Sequence, residues 1–252
     1  KLTYFLINKS KKTIGNLTYN MTHHSSTQSN NNFNGTQITF TVKVNPKPAI
    51  TLTNKAAAIC TGNATDIQFS SSIPSSSYYW IPSNVSGSAN GATTNLVGTS
   101  STTIADILTN TGLTTATIRY KITTLAPTGC GATDSTDVLV YALPTNANAG
   151  PDQALCNVTT TTLAGNSPAP GAGSWGFVSG PAIITFVSPS SPSSSVSGLI
   201  TGTYLFTWSV TNGPCAVSID TVIINNAPPS VAGTLASSAT VCNGNKIGTA
   251  HV

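Results

Sequence analysis

The sequence predicts an all-β fold in which tandem β-sandwich domains follow one another as a rod. Only 6% of the 252 residues are charged, and the six acidic residues are all Asp, so helices would lack their usual surface side chains. Thr, Ser, Val, Ile, Asn and Gly are abundant, which favours strands and tight turns over helices. A strand pattern also recurs at proline-marked positions, as it does in proteins built from repeats.

Every repeat ends in two strand-like segments and a joint that contains proline. Alternating apolar and polar residues predict a half-buried closing strand, and these strands cover residues 37–44, 136–141 and 220–224. The strands predicted just before them cover 16–22, 117–123 and 204–210. The joints themselves are 45–48, 142–145 and 226–229. The pattern therefore predicts the same hairpin at the end of each repeat.

The joints divide the chain into four parts. Residues 1–48 are predicted to be the C-terminal part of one repeat, 49–144 a complete second repeat, 145–228 a complete third, and 229–252 the start of a fourth. Proline restricts the backbone of the short joints, so neighbouring repeats should sit end to end in a semi-rigid rod. The Ser-rich stretches 70–77 and 188–197 fall inside repeats and are predicted to be loops between strands.

Charge and hydropathy exclude several classes of partner. The formal net charge is +4, and six lysines precede Pro48 without arginine clusters or interleaved aromatic residues, which makes a poor nucleic-acid stripe. Lysines on solvated strand edges also discourage unwanted strand pairing. No apolar stretch approaches the roughly 20 residues that span a bilayer. Neither a nucleic-acid partner nor a membrane span is predicted.

The five cysteines fit the repeat map. Pairing within repeats predicts the disulfides Cys60–Cys130 and Cys156–Cys215, while Cys242 corresponds to Cys60 and would find its partner beyond Val252. The sequence has no CxxC spacing, which argues against zinc, and disulfides imply an oxidising, extracellular compartment. The alternative is two reduced, buried cysteines in each repeat.

Motifs in the two complete repeats resemble a known type of surface repeat. The third repeat carries Asn-Ala-Gly-Pro-Asp-Gln-Ala-Leu-Cys at 148–156, Leu-Ala-Gly-Asn at 163–166 and Asn-Gly-Pro-Cys at 212–215. It resembles the Ig-like repeats of giant adhesins of gliding Bacteroidota, and the second repeat, with Ile-Cys-Thr-Gly at 59–62, resembles PKD-like domains of the same surface proteins. The resemblance implies Ig-like/PKD-like sandwiches, type IX secretion and surface display, and an O-glycosylation motif at Thr221.

Few side chains suggest a chemical site. The six aspartates are scattered and adjoin turns or strand ends, so the sequence predicts no catalytic residue and no cofactor. Asp134 and Asp137 are the best calcium candidate, although calcium needs six to eight oxygen ligands. Trp80 and Trp208 are predicted to lie in the core. Trp175, between Gly173 and Gly176, is the candidate for ligand contact.

The sequence leaves three hypotheses for function. The first is an extracellular structural or adhesive stalk of a large surface protein, whose partners are neighbouring repeats of the same polypeptide. The second is a carbohydrate-binding array of a secreted polysaccharide-degrading enzyme, in which Trp175, or Tyr78 and Tyr79, would be exposed and would bind surface glycans. The third is a filament in which identical chains complete one another by strand addition.

Overall fold

The computed structural model of the chain describes residues 15–22 and 37–229, and all regular structure in these ranges is β. It comprises nineteen strands. The first hairpin consists of β1 (Gly15–Thr22) and β2 (Gln37–Val44). Within the described ranges there is no helix that could cross a membrane. The all-β prediction is confirmed.

The three closing hairpins are confirmed, and all are antiparallel. The first pairs β1 with β2 from Gly15↔Val44 to Thr22↔Gln37. The second pairs β11 (Ala116–Leu125) with β12 (Gly131–Tyr141). The third pairs β18 (Gly202–Thr211) with β19 (Ser218–Ala227). The last two alternate buried and exposed residues along β11 and β18, since successive side chains of a strand point to opposite faces.

The second repeat has two main sheets around one core. A five-stranded sheet has the order β4-β12-β11-β6-β8 and a three-stranded sheet the order β3-β5-β9, while β7 and β10 form a short separate pair. The buried side chains of both sheets meet in one cluster that includes Phe69, Tyr120 and Ile122. The remaining strands of this repeat are β3 (Ile50–Asn54), β4 (Ala58–Cys60), β5 (Ile67–Ser71), β6 (Ser77–Ser86), β7 (Ala89–Asn90), β8 (Asn95–Thr99), β9 (Thr103–Ile104) and β10 (Thr109–Asn110).

The third repeat is a smaller sandwich. Its four-stranded sheet has the order β13-β19-β18-β15, and its three-stranded sheet the order β14-β17-β16. A second, separate cluster of buried side chains centres on Trp175, Phe206 and Trp208. Each complete repeat thus has its own core. The remaining strands are β13 (Gln153–Cys156), β14 (Thr160–Thr162), β15 (Ala172–Ser179), β16 (Thr185–Phe186) and β17 (Ser195–Ser197).

The two serine-rich stretches lie largely between strands. The stretch 70–77 links the end of β5 to the start of β6, and 188–197 leads from β16 into β17. Hydrogen bonds within the loops hold them, for example from the Ser76 hydroxyl to the Ile73 carbonyl at 2.7 Å. These stretches are therefore ordered parts of the sandwiches and not linkers between domains.

Candidate functional site at the joint between two repeats

The opening cysteine of the second repeat lies at the end of that repeat's closing strand. Strand β4 pairs in parallel with β12, and Cys60 faces Tyr141 in the register. The Thr61 amide donates to the Tyr141 carbonyl at 2.8 Å and continues the ladder by one step. Cys60 is 6% exposed. The short strand therefore fixes this thiol where the second repeat meets the third.

A loop of the third repeat reaches the same place. The loop joins β18 to β19 and closes with a hydrogen bond of 3.1 Å from the Cys215 amide to the Asn212 carbonyl. Gly213 has a φ of +54° and lies so close to the Tyr141 ring that an added Cβ would be 2.3 Å from it. The left-handed conformation and the close approach both require glycine here. The Asn-Gly-Pro-Cys segment thus packs on the end of the preceding repeat.

These two elements are joined by a disulfide between Cys60 and Cys215 with a Cα–Cα distance of 4.8 Å. The predicted Cys60–Cys130 and Cys156–Cys215 bonds are therefore wrong, and strand geometry explains why. Cys60 lies beside Tyr141, whereas Cys130 precedes Gly131 at the other end of β12. Ten steps along a strand span about 33 Å, while a disulfide needs Cα atoms within about 7 Å.

The other cysteines fall into different states. Cys156 is disulfide-bonded, and it faces Ala227 at the far end of β19 from Cys215. Cys130 is in no disulfide. The prediction for Cys242 lies outside the described residues. The pairing seen at Cys60 and Cys215 links two repeats, where the sequence map had predicted a link inside each.

Polar contacts reinforce the joint. The Asn212 side-chain amide donates to the Ala142 carbonyl at 2.8 Å. The Cys215 sulfur lies 3.4 Å from the same carbonyl oxygen. The Thr145 hydroxyl donates to the Ala169 carbonyl. The sequence analysis assigns no contact to Asn212, although this residue opens the Asn-Gly-Pro-Cys motif and asparagine is a typical turn residue.

The calcium candidate is not supported by the geometry. Asp134 and Asp137 stand three residues apart on β12, and an odd separation on a strand sends side chains to opposite faces. Asp137 accepts two hydrogen bonds of 2.7 Å from the Arg119 guanidinium, and those bonds lower the pKa of the Asp137 carboxyl. Across the described ranges, no group of three His, Cys, Asp or Glu side chains could hold a metal ion.

A buried tyrosine and a carboxylate secure the inside of the second repeat. Tyr120 is fully buried, and its hydroxyl donates to Asp106 Oδ2 at 2.7 Å. The same carboxylate accepts from the Thr93 amide at 2.8 Å and from the Thr93 hydroxyl at 2.7 Å. Burial, the hydrogen bond and the nearby negative charge of Asp106 all raise the pKa of Tyr120. Asp106 therefore has a structural role.

The Tyr120 network predicts alkaline sensitivity of the second repeat. Because the pKa of Tyr120 is raised in the fold from its ordinary value of 10.0, the unfolded chain loses this proton first, and stability falls as pH rises above about 10. Tyr120→Phe should cost roughly 1.5 to 3 kcal/mol at pH 7, the usual range for losing a hydrogen bond to a charged group, and should unfold with a flatter pH dependence above 10. Urea titrations from pH 7 to 11 measure both. Equal slopes for the two proteins would contradict this role.

Trp175 does not face solvent. It is 4% exposed, its Nε1 donates to the carbonyls of Ser191 and Pro192 at 3.0 and 3.2 Å, and its ring centroid lies 4.9 Å from that of Trp208. The predicted ligand contact is therefore wrong, because the ring fills the core. Trp208 is fully buried as predicted, and Trp80 packs against the core of the second repeat.

Thr221 lies exposed on β19, so its hydroxyl is sterically open to modification. Its neighbours point inward or make hydrogen bonds: Val222 is buried, and Asp220 Oδ2 accepts from the Ala149 amide at 2.8 Å. O-glycosylation at Thr221 stays a prediction.

Two segments of the chain match families of PKD domains. Residues 57–145 match the family described as "PKD-like domain", and residues 149–225 match the family described as "K319L-like, PKD domain". The chain thus contains two PKD-like domains in tandem, and the resemblance drawn from the motifs is confirmed at that level. No significantly similar relative was found among functionally curated proteins.

Several solved structures are similar to parts of the chain. The PKD domain from KIAA 1837 protein is 29% identical with a TM-score of 0.32, over 35% of this chain and 92% of that one. Murine CEACAM1b is 13% identical with a TM-score of 0.42, over 71% of this chain and 100% of that one. The titin I-band fragment I67-I69 is 12% identical with a TM-score of 0.40, over 73% of this chain and 67% of that one.

Proposed function

Since two PKD-like domains follow each other in this chain, we propose that it is a load-bearing stalk segment of an extracellular surface protein, without catalytic activity. The observation that carries the proposal is the Cys60–Cys215 disulfide, which fastens one repeat to the next. We also propose that the repeats divide at 49–144 and 145–228. Disulfides and PKD-like or Ig-like domains are typical of extracellular proteins.

The disulfide determines the path that tension takes through the chain. Force that enters before Cys60 passes through the sulfur bridge to Cys215 and leaves through β19, because the two cysteines are covalently joined. The intervening chain, with a sequence separation of 155 residues, lies outside this covalent path and is not pulled taut while the bridge holds. Most of both sandwiches is therefore shielded from extension, which suits a stalk under load.

Pulling on the ends of single molecules tests this function. The oxidised chain should extend less than the Cys60→Ser/Cys215→Ser variant when fully unfolded. Release of a loop with a sequence separation of 155 residues adds at most about 50 nm, at roughly 3.4 Å a residue, and the disulfide at Cys156 lowers that gain. Cys130→Ser leaves the bridge intact and should extend like the parent chain, which makes it the matched control. Equal contour lengths for the parent and the double variant would refute the proposed load path.

The proposal extends to surface display and adhesion. The motif resemblance supports a gliding-type adhesin of Bacteroidota, exported by the type IX system, whose partners are surface glycans or identical chains in a filament. Binding of the full chain to a glycan array, together with sedimentation at rising concentration, distinguishes these partners. A chain that neither binds glycans nor self-associates would leave the segment as a spacer alone.

A further inference from the structure

The opening strands of both complete repeats follow one rule. Strand β4 runs parallel to β12 and places Cys60 opposite Tyr141, the last residue of that closing strand. Strand β13 runs parallel to β19 and places Cys156 opposite Ala227, again the last residue. The shared register places the opening cysteine of each complete repeat beside the last residue of its closing strand.

The first hairpin contains a closing strand, β2, but no opening strand lies beside it among the described residues. Within residues 15–22 and 37–229, β2 has β1 as its only neighbour. No strand of the described residues therefore pairs with the edge that corresponds to the paired edges of β12 and β19, and Val44 is the last residue of β2. By the register of the other two repeats, an opening cysteine belongs opposite Val44. An unpaired strand edge offers a row of backbone donors and acceptors to another strand.

Cys130 lies at the end of β2 in the same way as Cys215 lies at the end of β12. The Cys130 sulfur is 3.9 Å from the carbonyl oxygen of Asn45, the residue that follows Val44. The Cys215 sulfur is 3.4 Å from the carbonyl oxygen of Ala142, the residue that follows Tyr141. Both cysteines sit in the loop of a closing hairpin and touch the preceding repeat at the same backbone position. In the second joint that cysteine is bonded to an opening strand.

Asparagine side chains bridge both joints as well. The Asn45 amide donates to the Thr128 carbonyl at 3.4 Å, and Asn212 donates to Ala142 at 2.8 Å. Asn45 Oδ1 is buried without a hydrogen-bond partner among the described residues. An added strand would bring backbone N–H donors to this acceptor.

From these matches we infer that Cys130 and this edge of β2, which no described strand covers, together form a docking site for an opening strand of this repeat type. The strand lies parallel to β2 with its cysteine opposite Val44, and that cysteine forms a disulfide with Cys130. Residues 1–59 contain no cysteine, so the strand does not come from that part of the chain. The inference rests on the proposed end-to-end stalk. It implies that disulfides link each repeat of the stalk to the next.

The bond forms by thiol–disulfide exchange. The Cys130 thiolate attacks the sulfur of a mixed disulfide carried by the incoming cysteine, a new S–S bond forms, and the old one breaks. The leaving thiolate takes the electron pair and picks up a proton. A small-molecule disulfide or a thiol–disulfide oxidoreductase supplies the oxidising equivalents when it loads the incoming cysteine.

A peptide of the chain's own opening strand tests the site on the intact, oxidised protein. The peptide has the sequence of residues 54–64, with its cysteine carried as a mixed disulfide with thionitrobenzoate. It should release thionitrobenzoate on reaction with Cys130 about tenfold faster than a scrambled peptide, because docking raises the effective concentration of the sulfur. Peptide mapping should locate the new bond at Cys130, and Cys130→Ser should abolish it.

A second peptide separates docking from simple thiol reactivity. An Ile59→Pro peptide keeps the cysteine but cannot complete a ladder, since proline lacks the N–H donor, so it should react as slowly as the scrambled one. Equal rates for all three peptides would overturn the inference, as would a Cys130 that resists even the small disulfide reagent. Either result leaves the Cys60–Cys215 load path intact, so it is distinguishable from failure of the stalk function.

Discussion

Replacing Cys60 and Cys215 with serine should lower the free energy of unfolding of the oxidised chain by about 5 kcal/mol. In the chain-entropy model a cross-link stabilises by restricting the unfolded chain, and the effect grows with the loop that it closes. The bridge here closes a separation of 155 residues, which places the expected value near the upper end of the usual range. Urea titration under oxidising conditions, followed by tryptophan fluorescence, measures the difference.

The shape of the transition carries further information. With the bridge intact, the unfolded chain is restricted, so the transitions should lie at higher urea concentration than in the double variant. In the double variant each repeat should unfold at its own midpoint, because each has a separate core. Cys130→Ser should behave like the parent chain. A double variant with the parent's midpoint would show that the bridge contributes nothing.

The closing hairpins could be predicted because their signal is local. Alternating residues in 204–210 place Tyr204, Phe206 and Trp208 on one face, and all three are fully buried. Proline after each closing strand marks its end, because proline cannot continue a ladder. The alternating pattern and the proline that ends the strand both lie in neighbouring residues of the sequence. The hairpins therefore follow from the sequence without any knowledge of the tertiary structure.

The disulfides could not be predicted in the same way. A cysteine near the start of a repeat and one before its last strand are compatible with links inside a repeat or between repeats. The choice depends on which end of the closing strand the opening strand reaches, and parallel pairing puts Cys60 beside Tyr141. That parallel pairing is a long-range contact that leaves no periodic trace. The pairing seen at the Cys60–Cys215 joint, however, predicts the kind of partner that Cys130 takes at the first joint.

Trp175 shows how flanking glycines mislead. Glycines on both sides suggested an exposed ring, but an added Cβ at Gly173 would lie 2.2 Å from Trp208 Cζ2. The glycine is there because the neighbouring indole occupies the space that a side chain would fill. Both indoles are buried and in contact. Small residues beside a tryptophan thus indicate close packing here and not a binding surface.

Trp208→Ala should destabilise the third repeat by about 3 to 5 kcal/mol, the usual range for removing a buried tryptophan. The ring is fully buried, contacts Trp175, and donates from Nε1 to Asn166 Oδ1 at 3.1 Å. Glycines at 165 and 173 lie against it, so little side-chain volume is available nearby to refill the cavity. Hydrogen exchange followed by mass spectrometry reports the loss for each repeat separately.

The second repeat is the internal reference for this variant. Its core is a separate cluster that does not include Trp208, so amides of β11 and β12 should keep their protection while those of β18 and β19 lose theirs. Ile183→Ala, at a side chain that is 92% exposed, is the matched control and should change neither repeat. Since the bridge holds Cys215 to Cys60, the loop that carries Cys215 should stay at the joint even when its sandwich loosens. Equal loss of protection in both repeats would mean that they share one cooperative core, and the account of self-contained repeats would then be wrong.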